Sequence, residues 1–220
     1  MRCVTPWSRS SQIDLAGILS VSTRVIALSS SPRRGSNSSR LLDEAVAGAE
    51  EGGASVRVVD LAREGVKPCV ACDGCIETGR CVVTSDALNE IMDEVTSAGR
   101  MIVAAPIYYM GPPAQLKAFV DRAQCRYNLK YRVGKRLGRD ELGRRAGGTI
   151  AVCGSRVRRA FDGFDFVMKY FMDSLQIPHR ERLYVGGIDG RGDVEAYPER
   201  LAEARALGRR VALQGASPEV

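Results

Sequence analysis

Five short apolar runs rich in β-branched residues alternate with five segments whose apolar residues recur every three or four positions. This alternation restricts the fold more than any other feature of the chain. The runs are 23–29 (TRVIALS), 55–60 (SVRVVD), 100–106 (RMIVAAP), 147–154 (GGTIAVCG) and 181–187 (ERLYVGG). Apolar character with little alternation is that of strands buried on both faces, as in parallel sheets covered by helices. Helical spacing recurs at Leu41, Leu42, Ala45, Val46 and Ala49, closed by Gly52 and Gly53, and again at Leu88, Ile91, Met92 and Val95. Segments 113–124 (Leu116, Phe119, Val120) and 164–175 repeat the pattern, as does the stretch around Leu201, Ala204, Leu207 and Val211. The expected fold is α/β: a doubly wound five-stranded parallel sheet in a three-layer α/β/α sandwich. Right-handed crossovers favour the strand order 2-1-3-4-5.

This domain is expected to span 23–214, with no internal repeat and no second domain. Residues 1–22 read as a poorly ordered N-terminal extension, and 126–145 as a polar, basic insertion. The start of the chain is basic, but its apolar part is short, carries Asp14 and lacks a small-residue cleavage site, unlike a signal peptide. No run of about 18 or more apolar residues exists, so no membrane helix is expected. A cytoplasmic location follows as the expectation, with the seven cysteines reduced and no disulfide framework. Between Lys117 and Arg159 stand thirteen Lys or Arg and three acids, within a net charge of +6. Such a stretch is either a solvated face or a site for a phosphate-bearing cofactor or an acidic electron-transfer partner. It contains no nucleic-acid recognition motif, so no nucleic-acid partner is expected.

In open parallel sheets, ligands bind beyond the carboxyl ends of the strands, where the strand order reverses. The loop after the first strand, SSSPRRGSNSS (29–39), packs hydroxyls, an amide and two arginines before a helix N-terminus, which favours an anion. Simple helix capping is the competing reading of its Ser and Asn residues. The loop lacks G-x-G-x-x-G and the Walker pattern, so a single phosphate monoester suits it better than a dinucleotide or NTP. After the third strand, APIYYMGPPAQLKAFVDR (105–122) offers Tyr108 and Tyr109 as a flat wall for a planar ring, or as padding at the core edge. Gly154, after the fourth strand, allows close backbone approach.

PCVACDGCIETGRC (68–81) places Cys69, Cys72, Cys75 and Cys81 in the spacing C-x2-C-x2-C-x5-C. A compact loop that turns at Gly74 and Gly79 could bring these thiols to an iron–sulfur cluster. Zinc more often draws on two separated pairs, and a loop of reactive thiols is a third reading. Cys3, Cys125 and Cys153 have no partner spacing and read as ordinary thiols.

SSPRRGSNSSRLL resembles the phosphate loop GSPRKxGNTxxLL of the NAD(P)H-dependent FMN reductase family in the flavodoxin superfamily. APIYYMGPPAQLKAFVDR resembles that family's isoalloxazine loop, SPVYFGxxPAQLKxFIDR. The resemblance implies a flavodoxin-like fold binding FMN. Ser31, Arg33, Asn37 and Ser38 would hold the phosphate. Pro106, Ile107, Tyr108, Tyr109 and Gly111 would line the flavin, with Gly154 opposite. The sequence departs from the pattern at Ser30, where the family usually has Gly. The cysteine spacing is similar to that of the iron–sulfur flavoprotein branch, implying a 4Fe-4S cluster ligated by Cys69, Cys72, Cys75 and Cys81. The expected activity is that of an FMN-dependent oxidoreductase coupling two-electron to one-electron transfer, with NAD(P)H as possible electron donor or a ferredoxin as redox partner. No acid or base side chain is required, and His179 reads as structural. The family also implies a homodimer or homotetramer. The competing functions are a cluster-free NAD(P)H-dependent FMN or quinone reductase, and a flavin-free regulatory or metal-sensing module on the same fold.

Overall fold

A computed structural model describes residues 23–214, so the expectations for residues 1–22, Cys3 included, fall outside the described residues. The chain runs β1 (Arg24–Ser29), α1 (Asn37–Glu51), β2 (Ser55–Asp60), α2 (Leu88–Ala98), β3 (Arg100–Pro106) and α3 (Ala114–Arg122). It continues through α4 (Gln124–Tyr131), α5 (Arg139–Gly143), β4 (Ala146–Cys153), α6 (Asp162–Ser174), β5 (His179–Gly186) and α7 (Pro198–Leu213). All five strands pair in parallel in the order β2-β1-β3-β4-β5, as the crossover argument predicts. The fold is flavodoxin-like.

Successive side chains of a strand point to opposite faces, so each central strand feeds two cores. Ile26, Leu28, Met101 and Val103 pack with Phe119 of α3 and Phe164 and Met168 of α6. Val25, Ala27, Ile102 and Ile150 pack under α1 and α7, against Leu41, Leu207 and Val211. Where α1 crosses α7 the backbones nearly touch. A Cβ on Gly48 would overlap the Arg205 carbonyl, and one on Gly208 the Ala45 carbonyl. No described helix is long and apolar enough to cross a membrane.

The segment 126–145 departs from expectation. The chain passes through Ala123 directly from α3 into α4, and α5 follows. Apolar periodicity missed α4 because its buried positions are Cys125 and Asn128, with no large apolar residue between them. Three of the eight Lys and Arg in this segment form ion pairs: Arg126–Asp93, Lys130–Asp173 and Arg145–Glu141.

Candidate functional site

At the carboxyl edge of the sheet the loop after β1 is stitched to β3. The backbone N–H and the Oγ–H of Ser30 both donate to the Ala104 carbonyl, at 3.1 and 2.8 Å. Serine in place of glycine here therefore adds an anchor. Gly35, at φ 60°, turns the chain into α1. Ser36 caps that helix, its Oγ accepting from the Ser39 N–H at 3.1 Å. The first-turn amides of Asn37 and Ser38 have no intrahelical acceptor, and the positive end of a 15-residue helix lies behind them. Ser31, Ser36, Asn37 and Ser38 are all buried, while Arg33 is exposed.

Ser31, Arg33, Asn37 and Ser38 meet Pro106, Ile107, Tyr108 and Gly154 around one cleft of about 480 Å³, its open mouth included. Tyr109 and Gly111 do not line it. The Tyr108 and Gly111 backbones exchange two 3.0 Å hydrogen bonds, closing a turn with Tyr109 at φ 48° and Met110 at φ 63°. A side chain held in that region costs about 1–2 kcal/mol, and Tyr109 stands fully in solvent. This is the backbone of the tight turns that favour Asn-Gly, built here from two bulky residues. Strain of this kind concentrates at functional sites.

The loop after β5 also reaches this cleft. Ile188, Asp189 and Arg191 line it. Asn37 Nδ2 donates to the Gly190 carbonyl at 2.8 Å, and its Oδ1 accepts from the Val194 N–H at 3.2 Å. The Asn37 side chain thus ties the two loops together, and Asn37 lines the cleft at the first turn of α1. Arg191 Nε donates to the Arg34 carbonyl at 2.9 Å. A Cβ on Gly154 would lie 3.1 Å from the Asp189 side chain, so glycine leaves more room beside it.

The cysteine loop leaves the same edge of the sheet after β2. Cys69 and Cys72 are exposed; Cys75 and Cys81 are half-buried. The left-handed positions are Ala71 (φ 50°), Asp73 (φ 57°) and Gly79 (φ 66°). Gly74 serves clearance instead of turning, since a Cβ there would come within 2.7 Å of Val82. Asn128 Nδ2 donates to Cys75 Sγ at 3.3 Å, and Arg122 Nη2 donates to Cys81 Sγ at 3.2 Å. Burial pushes the Cys75 thiol up, the Asn128 contact opposes this, and Cys81 and Cys69 lie within electrostatic reach. Burial raises the Cys125 thiol to about 11. Asp86 pairs with the buried Arg122. Its burial is outweighed by the Lys67 amide and the guanidinium, so its pKa falls below the usual range. Among the described residues, no group of three or more His, Cys, Asp or Glu is arranged to hold a metal ion.

The sequence profile described as NADPH-dependent FMN reductase matches residues 23–161. The chain belongs to that family of flavin-dependent oxidoreductases. It is 36% identical to an iron–sulfur flavoprotein of Methanosarcina thermophila, over 52% of this chain and 61% of the relative. It is 29% identical to an iron–sulfur flavoprotein of Methanocaldococcus jannaschii, over 86% of this chain and 95% of the relative. These matches fall on the iron–sulfur flavoprotein branch of the family. Among solved structures, an NAD(P)H:quinone oxidoreductase from Methanothermobacter marburgensis shares the fold at TM-score 0.63 and 20% identity. That comparison covers 86% of this chain and 97% of the other.

Within the family frame, the residues that sequence reasoning missed are Ser36 and the β5 loop. Ser36 was visible as a hydroxyl before a helical pattern. The glycines at 186, 187, 190 and 192 were the available signal for the β5 loop. Gly187 and Gly192 adopt φ near 80° (80° and 82°), which bends the loop back toward α1.

Proposed function

We propose that the protein is an FMN-dependent oxidoreductase that carries a 4Fe-4S cluster on its cysteine loop and couples two-electron to one-electron transfer. The observation that carries the flavin part is the cleft at the carboxyl edge, where the α1 N-terminus faces a loop bearing Tyr108. The residues fit a phosphate monoester. The Asn37 and Ser38 amides would donate to its oxygens, the Ser31 and Ser36 hydroxyls lie beside them, and Arg33 sits at the mouth. Pro106, Ile107 and Tyr108 would support the ring system, and Gly154 would admit it from the other side. Tyr109 and Gly111 shape the turn next to the ring position and do not wall the cleft.

The cysteine loop fits an iron–sulfur group in its donor chemistry: four thiols on one short stretch, two of them receiving N–H donors. Convergence of the outer pair on metal would accompany binding, as is common where ligands lie on a loop. When bound, the flavin supplies hydride and single-electron chemistry, and the cluster passes one electron at a time. The protein's part is to hold both groups, exclude water from the inner sulfurs and present the cleft to a donor. NAD(P)H is the proposed donor, and a ferredoxin or similar one-electron carrier the proposed partner, for a cytoplasmic homodimer or homotetramer.

A second reading, a cluster-free NAD(P)H-dependent FMN or quinone reductase, is favoured by the absence of a preformed thiol group among the described residues. Anaerobic purification followed by iron, zinc and flavin quantification separates the two. About four irons with one FMN per chain supports the first reading. FMN without iron or zinc, even after anaerobic reconstitution, leaves the second. A chain that takes up no FMN overturns both.

A further inference from the structure

Arg122, Cys125, Asn128 and Leu129 follow one another at helical spacing through α3 and α4, and that stripe faces the cysteine loop. Arg122 Nη2 meets Cys81 Sγ at 3.2 Å and Asn128 Nδ2 meets Cys75 Sγ at 3.3 Å. A Cβ on Gly79 would strike Leu129 at 2.6 Å, so the loop lies directly on the helix. Both donors are buried and held. The Arg122 side chain is 1% exposed, pairs with Asp86 and donates to the Val83 carbonyl at 2.7 Å. Asp86 is itself fixed by the Lys67 and Leu88 amides, at 3.1 and 3.2 Å. The Asn128 amide is oriented by Gln124 Nε2, which donates to its Oδ1 at 3.3 Å. A guanidinium removed from water is costly to keep unless it is well partnered. Here it is spent between a carboxylate, carbonyls and a cysteine sulfur.

We infer that Arg122 and Asn128 are positioning residues of the sulfur centre, holding Cys81 and Cys75 inward and raising the reduction potential of the iron–sulfur group they ligate. The inference rests on the cluster reading above. An N–H donated to a ligand sulfur draws electron density from it and stabilises the more negative, reduced state, and hydrogen bonds to sulfur are an established lever on such potentials. The asymmetry is specific: the two inner cysteines have protein donors, and Cys69 and Cys72 are exposed to solvent.

The test is a spectroelectrochemical titration of the iron-loaded, flavin-loaded protein and of its Asn128→Leu and Arg122→Lys variants. Asn128→Leu removes the donor at similar volume. Arg122→Lys keeps a charge for Asp86 but loses the fork that reaches Cys81. In each variant the one-electron equilibrium of the iron centre is expected to shift about tenfold toward the oxidised form, 59 mV downward. The flavin potential should stay unchanged, and iron should leave to a chelator faster. A residue needed only for folding would disturb flavin retention and both centres together. Iron-loaded variants with the wild-type potential overturn the inference and leave the cluster reading standing. Wild-type protein that binds FMN but takes up no iron overturns the cluster reading, and the inference with it.

Discussion

Replacing Gly48 by alanine is expected to destabilise this protein, although alanine is the better helix former by about 1 kcal/mol. A Cβ at Gly48 would overlap the Arg205 carbonyl oxygen of α7 and lie 2.7 Å from its carbonyl carbon. The reciprocal Cβ at Gly208 would lie 2.6 Å from the Ala45 carbonyl carbon of α1. Ordinary contact begins at 3.4 Å and the obstacle is backbone, so the helices must part instead of a side chain turning aside. A gap of even 0.5–1 Å forfeits roughly a quarter to a half of each dispersion contact across it. Leu41, Ala45, Ala49, Ala204, Leu207 and Val211 all stand in that interface, fully buried. Overpacking of this kind costs about 3 kcal/mol at the upper end of its usual range. Against the propensity gain, a net loss of about 2 kcal/mol remains. Urea unfolding followed by circular dichroism should place the midpoint about 1 M lower. Combining Gly48→Ala with Gly208→Ala should cost less than the sum, because one separation relieves both clashes. Gly143→Ala on α5 is the control: a Cβ there has nothing within 4 Å, so stability should hold or rise slightly. A Gly48→Ala midpoint at or above wild type would refute the close crossing.

Three further outcomes follow from the site and its surroundings. Gly163→Ala at the start of α6 would set a Cβ 2.5 Å from the Met110 carbonyl oxygen, displacing the turn next to Tyr108; FMN affinity measured by fluorescence quenching should fall about tenfold. Cys81→Ala should abolish iron uptake in anaerobic reconstitution, whereas Cys125→Ala, at a thiol raised by burial to about 11, should leave it intact. Equal iron loss in both variants would extend the ligand set to α4. His179 is buried beside Thr149, with Arg182 at its Nδ1, and burial lowers its pKa from 6.5 to about 4. The unfolded chain therefore takes up that proton first as pH falls, and stability should drop between pH 6.5 and 4 by about 1.4 kcal/mol per unit. Denaturant titrations at pH 7 and 5 should differ by about 2 kcal/mol, and His179→Gln should flatten the difference.

How much of this was legible in sequence varies by element. The five strands stand where their apolar runs lie, within about two residues, because a strand covered on both faces must be apolar along its whole length. The start of α1 was legible for a local reason too: hydroxyls and an amide directly before a helical pattern announce a helix start. The cysteine spacing was equally plain as a pattern. Helix α4 was not, because what it buries is Cys125 and Asn128, whose amide donates to the Cys75 sulfur, and such burial leaves no hydrophobic period.

Tertiary structure alone decided which distant groups meet. Asn37 and Gly190 are 153 residues apart, and their hydrogen bond ties the loop after β5 to the start of α1 beside the cleft. Arg122 and Cys81 are 41 apart, and no local rule joins them. Tyr109 faces solvent because the two left-handed residues of its turn send it outward, a matter of backbone geometry that a run of aromatic letters does not encode. Strand and helix patterns depend on neighbours within a few residues, and the sequence by itself determined those. The cleft and the sulfur-facing wall depend on which faces pack together, and only the folded sheet with its crossovers brings those faces into contact.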